Sequence, residues 1–259
     1  MSEALGATLA SHRAAGRRLL IAYLVAGSTP DWLETASALV AAGVDALEIG
    51  IAFSDPMIDG PVIQAAATAA IERGTTTQSA LDALGSAGLG VPLVAMTYCN
   101  VLARHGYDDA AARLAAAGVT GAIVPDLPLE EVDEWRSAAS PRGIETVLLA
   151  APATPAGRLD EICARAEGFV YAVGRMATTG EAEHLDPTGA ALVRSLRSRT
   201  SLPVCLGIGV GTPAQAAEVC EQADGVIVGS AIVRRMLDGE GPERLGAFAA
   251  SLRAAIDAT

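Results

Sequence analysis

LPVCLGIGVGTPAQAAEVCEQADGVIVGSAIVRRM, residues 202–236, holds two short apolar runs, each followed at once by glycines and separated by one helix-length segment. Residues 202–207 and 224–229 are nearly continuous in apolar side chains, as expected of parallel strands covered on both faces. After the first run comes Gly207-Ile208-Gly209-Val210-Gly211, then a helical period over 213–222. After the second comes Gly229-Ser230-Ala231, opening a short helix to about Met236. Glycines let a backbone approach an anion closely, and the free N–H groups of a helix start point at it. The Gly-x-Gly-x-Gly run is not a dinucleotide fingerprint, because its spacing is wrong and no ribose-binding acid follows.

The same unit repeats upstream. Six more apolar runs read as strands at 18–26, 45–51, 91–98, 120–126, 145–151 and 168–173, with helical segments at 31–42, 107–117, 129–139 and 189–197. Gly43, Gly118, Gly143 and Gly168 stand where glycine closes a helix before the next strand. Eight strands alternating with helices over 259 residues match a single α/β domain spanning residues 1–259. The expected form is a (β/α)8 TIM barrel with an N-terminal extra helix and a short phosphate-binding helix after the eighth strand. An open doubly wound sheet is the runner-up. In a barrel the chemistry sits at the C-terminal ends of the strands, and phosphate is commonly held by the loops after strands seven and eight.

Composition excludes several classes. Thirty acidic side chains against 18 basic ones give a net charge of −12, the wrong sign for a nucleic-acid backbone binder. All the basic residues are arginine, so covalent imine chemistry, which needs a lysine amine, is excluded. Cys99, Cys163, Cys205 and Cys220 have no metal-ligand or Cys-x-x-Cys spacing and read as reduced cytosolic thiols. The charge-free stretch 83–103 is interrupted by Gly85, Gly88, Gly90 and Pro92, so no membrane span is expected. Arg17-Arg18 before LLIAYLVAG imitates a secretory signal, but the preceding segment is too long and carries Glu3. His12, His105 and His184 read as surface residues.

ALEIGIAFSDPMIDGPVIQ, residues 46–64, is the stretch richest in chemistry. Glu48 lies inside an apolar strand, where an ionised carboxylate is costly and desolvation lifts its pKa toward the range useful in proton transfer. Two readings are open for Asp59: an N-cap before Pro61 at the first helical position, or the partner of Glu48 in acid–base work. Asp55, before Pro56, reads as a turn residue.

These blocks, Leu47-Glu48-Ile49-Gly50, Phe53-Ser54-Asp55-Pro56, Asp59-Gly60-Pro61 and Ile63-Gln64, resemble the signature of the tryptophan synthase α-chain family. The similarity continues in Ala26-Gly27, Met96-Thr97-Tyr98-Cys99-Asn100, Pro125-Asp126-Leu127-Pro128 and Gly168-Phe169-Val170-Tyr171. It extends to Thr179-Gly180, Gly207-Ile208-Gly209 and Gly229-Ser230-Ala231-Ile232-Val233. The resemblance implies a cytoplasmic carbon–carbon lyase of tryptophan biosynthesis. Such an enzyme cleaves indole-3-glycerol phosphate by retro-aldol chemistry to indole and glyceraldehyde 3-phosphate, with neither metal nor cofactor. By match to the motif, Glu48 is the general acid/base, Asp59 accepts the indole N–H and Tyr171 helps position the site. Gly180, Gly209, Gly229 and Ser230 hold the phosphate; Tyr23, Met96 and Ile208 line the indole pocket; Thr179 belongs to a lid loop. The implied partner is a tryptophan synthase β chain in an α2β2 complex.

Three departures stand beside the match. The lid loop reads Ala177-Thr178-Thr179-Gly180 where the family usually has Gly-Val-Thr-Gly. Ala52 stands where proline is frequent, and Gly27-Ser28-Thr29-Pro30 replaces a Gly-Asp-Pro-like turn. The alternatives are a stand-alone lyase releasing free indole for specialised metabolism, a catalytically weak paralogue acting as an activating partner, or another sugar-phosphate lyase or isomerase on the same barrel.

Overall fold

The computed structural model describes residues 4–174, 176–179, 182–207 and 209–259, with 176–179 and 182–185 described by their backbone alone. Eight parallel strands close into a barrel: β1 (Leu19–Val25), β2 (Ala46–Gly50), β3 (Leu93–Met96), β4 (Val119–Ile123), β5 (Glu145–Ala150), β6 (Val170–Val173), and two later strands, Val204–Gly207 and Gly225–Val228. Between β6 and those two, β7 (Met176–Thr179) and β8 (Ala182–Leu185) form a separate antiparallel pair, so the last barrel strands are β9 (Val204–Gly207) and β10 (Gly225–Val228). The barrel order β1-β10-β9-β6-β5-β4-β3-β2 returns to β1, which makes it closed and not the open sheet.

Each barrel strand coincides with an apolar run of the sequence, because a strand flanked by barrel neighbours and covered by helices has no solvent face. The β7–β8 pair has no such run. Its segments read MATT and AEHL, and no apolar pattern marks either as a strand. Gly43 and Gly118 take the left-handed conformation just past the helices Trp32–Ala41 and Tyr107–Ala116, as the capping pattern requires. Gly168 differs: the helix Ala156–Arg165 ends in extended backbone at Ala166, and a Cβ on Gly168 would meet Leu5 Cδ2 at 2.8 Å. It makes room for the N-terminal plug.

That plug is the extra helix Leu5–Ala14. Its Leu5 and Leu9 are fully buried with Leu19, Ile21, Ala46, Val94 and Phe169, sealing the N-terminal end of the barrel. Burying each leucine contributes roughly 1.5–3 kcal/mol. Carboxylates ring the same end and accept strand-start amides: Asp45 from Leu20 N–H at 2.8 Å, Asp224 from Val204 at 2.9 Å, and Glu167 from Thr146 at 3.0 Å. A second, larger core of aliphatic side chains lies between the strands and the outer helices.

Among the described residues no helix is long and apolar enough to cross a membrane. The charge-free stretch 83–103 divides among the helix Thr77–Ala87, β3 and the short helix Cys99–Ala103. With the N-terminal end of the barrel plugged by leucines, the C-terminal end is the one left open to hold a site.

Candidate active site

Alternation along β2 turns Ala46, Glu48 and Gly50 to one face. Ala46 packs with the barrel-interior cluster, so Glu48 points inward too. In the register it stands between Tyr23 of β1 and Val94 of β3. Glu48 is 1% exposed, and its Oε2 is buried with no hydrogen-bond partner among the described residues. Burial, with a smaller contribution from the charge of Asp59, pushes its carboxyl up from 4.5 to about 8. At neutral pH it is a protonated acid within reach of ionisation.

Asp59 reaches the same mouth from the loop after β2. It is not a helix cap: the helix Pro61–Glu72 is preceded by Gly60 as N-cap, no side chain caps it, and Pro61 occupies its first position. The Asp59 carboxylate instead accepts a hydrogen bond from the Tyr98 hydroxyl at 3.0 Å. Burial raises its pKa and the Tyr98 bond opposes that rise. Asp55 behaves as the turn residue expected, accepting from Ser54 Oγ at 2.6 Å on the exposed loop.

Sequence reasoning does not single out Tyr98 as the partner of Asp59. It lies 39 residues away, and its only signal is its place in the Met96–Asn100 block. Its ring stacks on Phe53 with centroids 5.2 Å apart.

Two tyrosines flank Glu48, and each needs a glycine opposite. A Cβ on Gly50 would lie 2.3 Å from the Tyr23 hydroxyl, and one on Gly207 would lie 2.2 Å from the Tyr171 hydroxyl. Both phenols are buried and held well above their ordinary pKa, first by burial. They therefore act as neutral hydroxyls. Tyr23 and Met96, expected to line an apolar pocket, do line a cleft with Val25, Ile63, Tyr98 and Asp59. The cleft is narrow, about 20 Å³, room for one water. A roomier cavity of about 520 Å³ lies alongside, between the loops after β2 and β3, and shares Ile51, Ala52, Phe53 and Thr97 with the cleft.

Adjoining this wall, β10 pairs with β1 and with β9, which sets the loops after β9 and β10 side by side next to Tyr23. The helix Ser230–Leu237 begins at Gly229 with no side-chain cap, leaving the first-turn amides and the positive end of the helix dipole open to an anion. Ser230 and Gly209 are exposed there, whereas Gly211 is tied back, its N–H donating to Gln215 Oε1 at 2.8 Å. Gly180 and Ile208, expected at the phosphate and indole sites, lie outside the described residues. Thr179, expected in the lid, is described by backbone only, at the end of β7. Among the histidines, His105 is exposed and lines the larger cavity, while His12 is half-buried with Nδ1 2.9 Å from Asp45 Oδ1.

Comparison with known proteins shows the family. A family model described as tryptophan synthase alpha chain matches residues 9–252. The tryptophan synthase alpha chain of Streptomyces coelicolor is 43% identical over 258 residues, covering 96% of this chain and 95% of that protein. The Thermobifida fusca alpha chain is 40% identical over 260 residues, covering 96% of each. Among solved structures, tryptophan synthase from Mycobacterium tuberculosis superposes with a TM-score of 0.89 at 37% identity over 99% of both chains. The tryptophan synthase alpha subunit of Legionella pneumophila gives 0.88 at 32% identity over 98% of both. The chain belongs to the tryptophan synthase alpha chain family.

Proposed function

We propose that this chain cleaves indole-3-glycerol phosphate to indole and glyceraldehyde 3-phosphate, with Glu48 and Asp59 as its catalytic pair. The observation that carries the reading is a buried carboxyl with an oxygen that has no hydrogen-bond partner among the described residues, at a barrel mouth shared with a second, hydrogen-bonded carboxylate; burial pushes the first up to about 8. Glu48 donates its proton to indole C3 and takes one from the glycerol hydroxyl on the carbon bonded to C3. The C3–carbon bond then breaks, and its electron pair returns to the ring. The net proton count on Glu48 is unchanged. Asp59 accepts the indole N–H and stabilises the cation present while C3 is protonated. Tyr171 and Tyr23 supply neutral hydroxyls around Glu48, and Met96 and Ile208 the apolar wall of the ring pocket. Gly180, Gly209, Gly229 and Ser230 hold the phosphate through backbone N–H groups and one hydroxyl.

The working form is the alpha subunit of a cytoplasmic α2β2 tryptophan synthase. Met57 and Ile58, 85% and 56% exposed beside Asp59, supply apolar surface for contact with the β chain. The test is release of indole from indole-3-glycerol phosphate, with and without a β chain. Equimolar indole and glyceraldehyde 3-phosphate, formed faster with the β chain, is the expected result. Turnover of a different sugar phosphate with no indole would refute the reading.

The pH dependence follows from the two carboxyls. Glu48 must carry its proton to begin, so kcat/KM should fall as pH rises through about 8. Asp59 must be ionised, so activity should also fall on the acid side, giving a bell-shaped profile. A profile flat through the alkaline range would remove Glu48 from the role of acid.

A further inference from the structure

Tyr98 stands at a junction that the acid–base scheme does not use. Its hydroxyl has one proton and two lone pairs. Ile58 N–H lies 3.2 Å from the hydroxyl oxygen and can only donate to it, so the phenolic proton is left for Asp59 Oδ2 at 3.0 Å. The ring is fixed on one side by the stack with Phe53. The backbone is fixed on the other: Thr97 N–H donates to Ile123 O at 3.1 Å, and Cys99 N–H donates to Asp126 Oδ1 at 2.8 Å. Tyr98 thus belongs to the loop after β3, is anchored to β4 and the residues beyond it, and grips the loop after β2. Among the described residues no other group donates a hydrogen bond to the Asp59 carboxylate.

We propose that Tyr98 is a positioning residue for the reaction, holding the Asp59 carboxylate ionised and aimed at the barrel mouth through its single phenolic proton. The inference rests on the reading of Asp59 as the group that accepts the indole N–H. Geometry carries it, and the electrostatics agree: burial works against the charged form of Asp59, and the Tyr98 bond is what lowers its pKa. The titratable groups facing Asp59 are Tyr98 itself, Glu48 from β2 and Tyr23 from β1, while Tyr171 faces Glu48 from β6. The three phenols stay neutral through the working range, and Glu48 governs the alkaline side. The acid limb of the rate profile therefore reports Asp59.

Tyr98→Phe keeps the ring and its stack and removes only the hydroxyl. A hydrogen bond to a charged group is typically worth enough that kcat for indole formation should fall roughly tenfold or more, with KM within about twofold. The acid limb of kcat/KM should move to higher pH, because Asp59 loses the bond that favours its ionised form, while the alkaline limb stays in place. A merely structural role would leave the acid limb where it was, and that result overturns the proposal even if the rate drops. Asp59→Asn is measured in the same series. If Asp59→Asn removes nearly all activity while Tyr98→Phe matches the parent in rate and acid limb, the positioning role alone fails. If Asp59→Asn keeps the parent rate, the role of Asp59 fails and the proposal falls with it. Phe53→Leu, which removes the stack and leaves the hydroxyl, is the second variant should Tyr98→Phe fold poorly: it should shift the acid limb in the same direction by less, and no shift overturns the proposal.

Discussion

Glu48→Gln should lower indole formation by roughly 10²–10⁴-fold, the range that one positioned acid–base group contributes, while leaving KM nearly unchanged. Glutamine matches the carboxyl in shape and volume but exchanges no proton, so substrate binding survives and only the step that moves protons at C3 is lost. The same substitution should stabilise the protein, and the sign follows from proton counts. Folded Glu48 keeps its proton up to about 8, whereas the unfolded chain gives it up near 4.5. Between those values the native state binds more protons than the unfolded one, so stability falls as pH rises, levelling off above about 8. The substituted amide has no proton to lose and escapes that decline. Melting curves of both proteins at about pH 5 and about pH 9 should therefore diverge, the variant gaining at the higher pH. A gap that does not change with pH would show that Glu48 is not buried in its neutral form. A variant with full activity would remove Glu48 from the chemistry.

What the sequence made legible, and what it hid, follows from the range of the interactions. The barrel strands were readable because each is buried on both faces, and burial writes itself locally as an apolar run. Glu48 was readable for the converse reason, a charge inside such a run. Asp59 was ambiguous, since an acid before Gly-Pro looks the same whether it caps a helix or faces a substrate. What decides against the cap is the Tyr98 hydroxyl, 39 residues away. Cys99 and Asp126 are linked across 27 residues, and Asp45 and Arg253 across 208. No local pattern announces such pairs. The β7–β8 pair is not legible in the sequence because its short, mixed segments carry no continuous apolar run, and periodicity is silent about strands of that kind.

Asp45→Asn should cost about 3–5 kcal/mol of stability, the range for removing one partner of a buried ion pair. Asp45 is fully buried just before β2, accepting from Arg17 Nε at 2.6 Å, Arg253 Nη1 at 3.0 Å and Leu20 N–H at 2.8 Å. An asparagine turns one of those acceptors into a donor facing a donor, and it removes the charge that balances Arg253. The side chain of Arg253 is 9% exposed and, among the described residues, keeps only the half-exposed Asp257 as a counter-charge, at 2.5 Å. Arg253 sits on the C-terminal helix Pro242–Asp257 and Arg17 just before β1, so Asp45 joins both termini of the chain to the start of β2. For a domain of this size the loss should lower the melting midpoint by roughly 10 °C. The double variant Asp45→Asn with Arg253→Met should recover much of it, because the cost of the single change lies largely in the charge left behind and not in the net worth of the pair. Activity measured well below the transition should be nearly unaffected. Asp45 lies at the plugged end of the barrel, about 10 Å along the strand from Glu48, and that end carries stability while the other carries chemistry. A midpoint within about 2 °C of the parent would mean that water reaches this carboxylate and screens it, and that the termini are held by apolar packing alone.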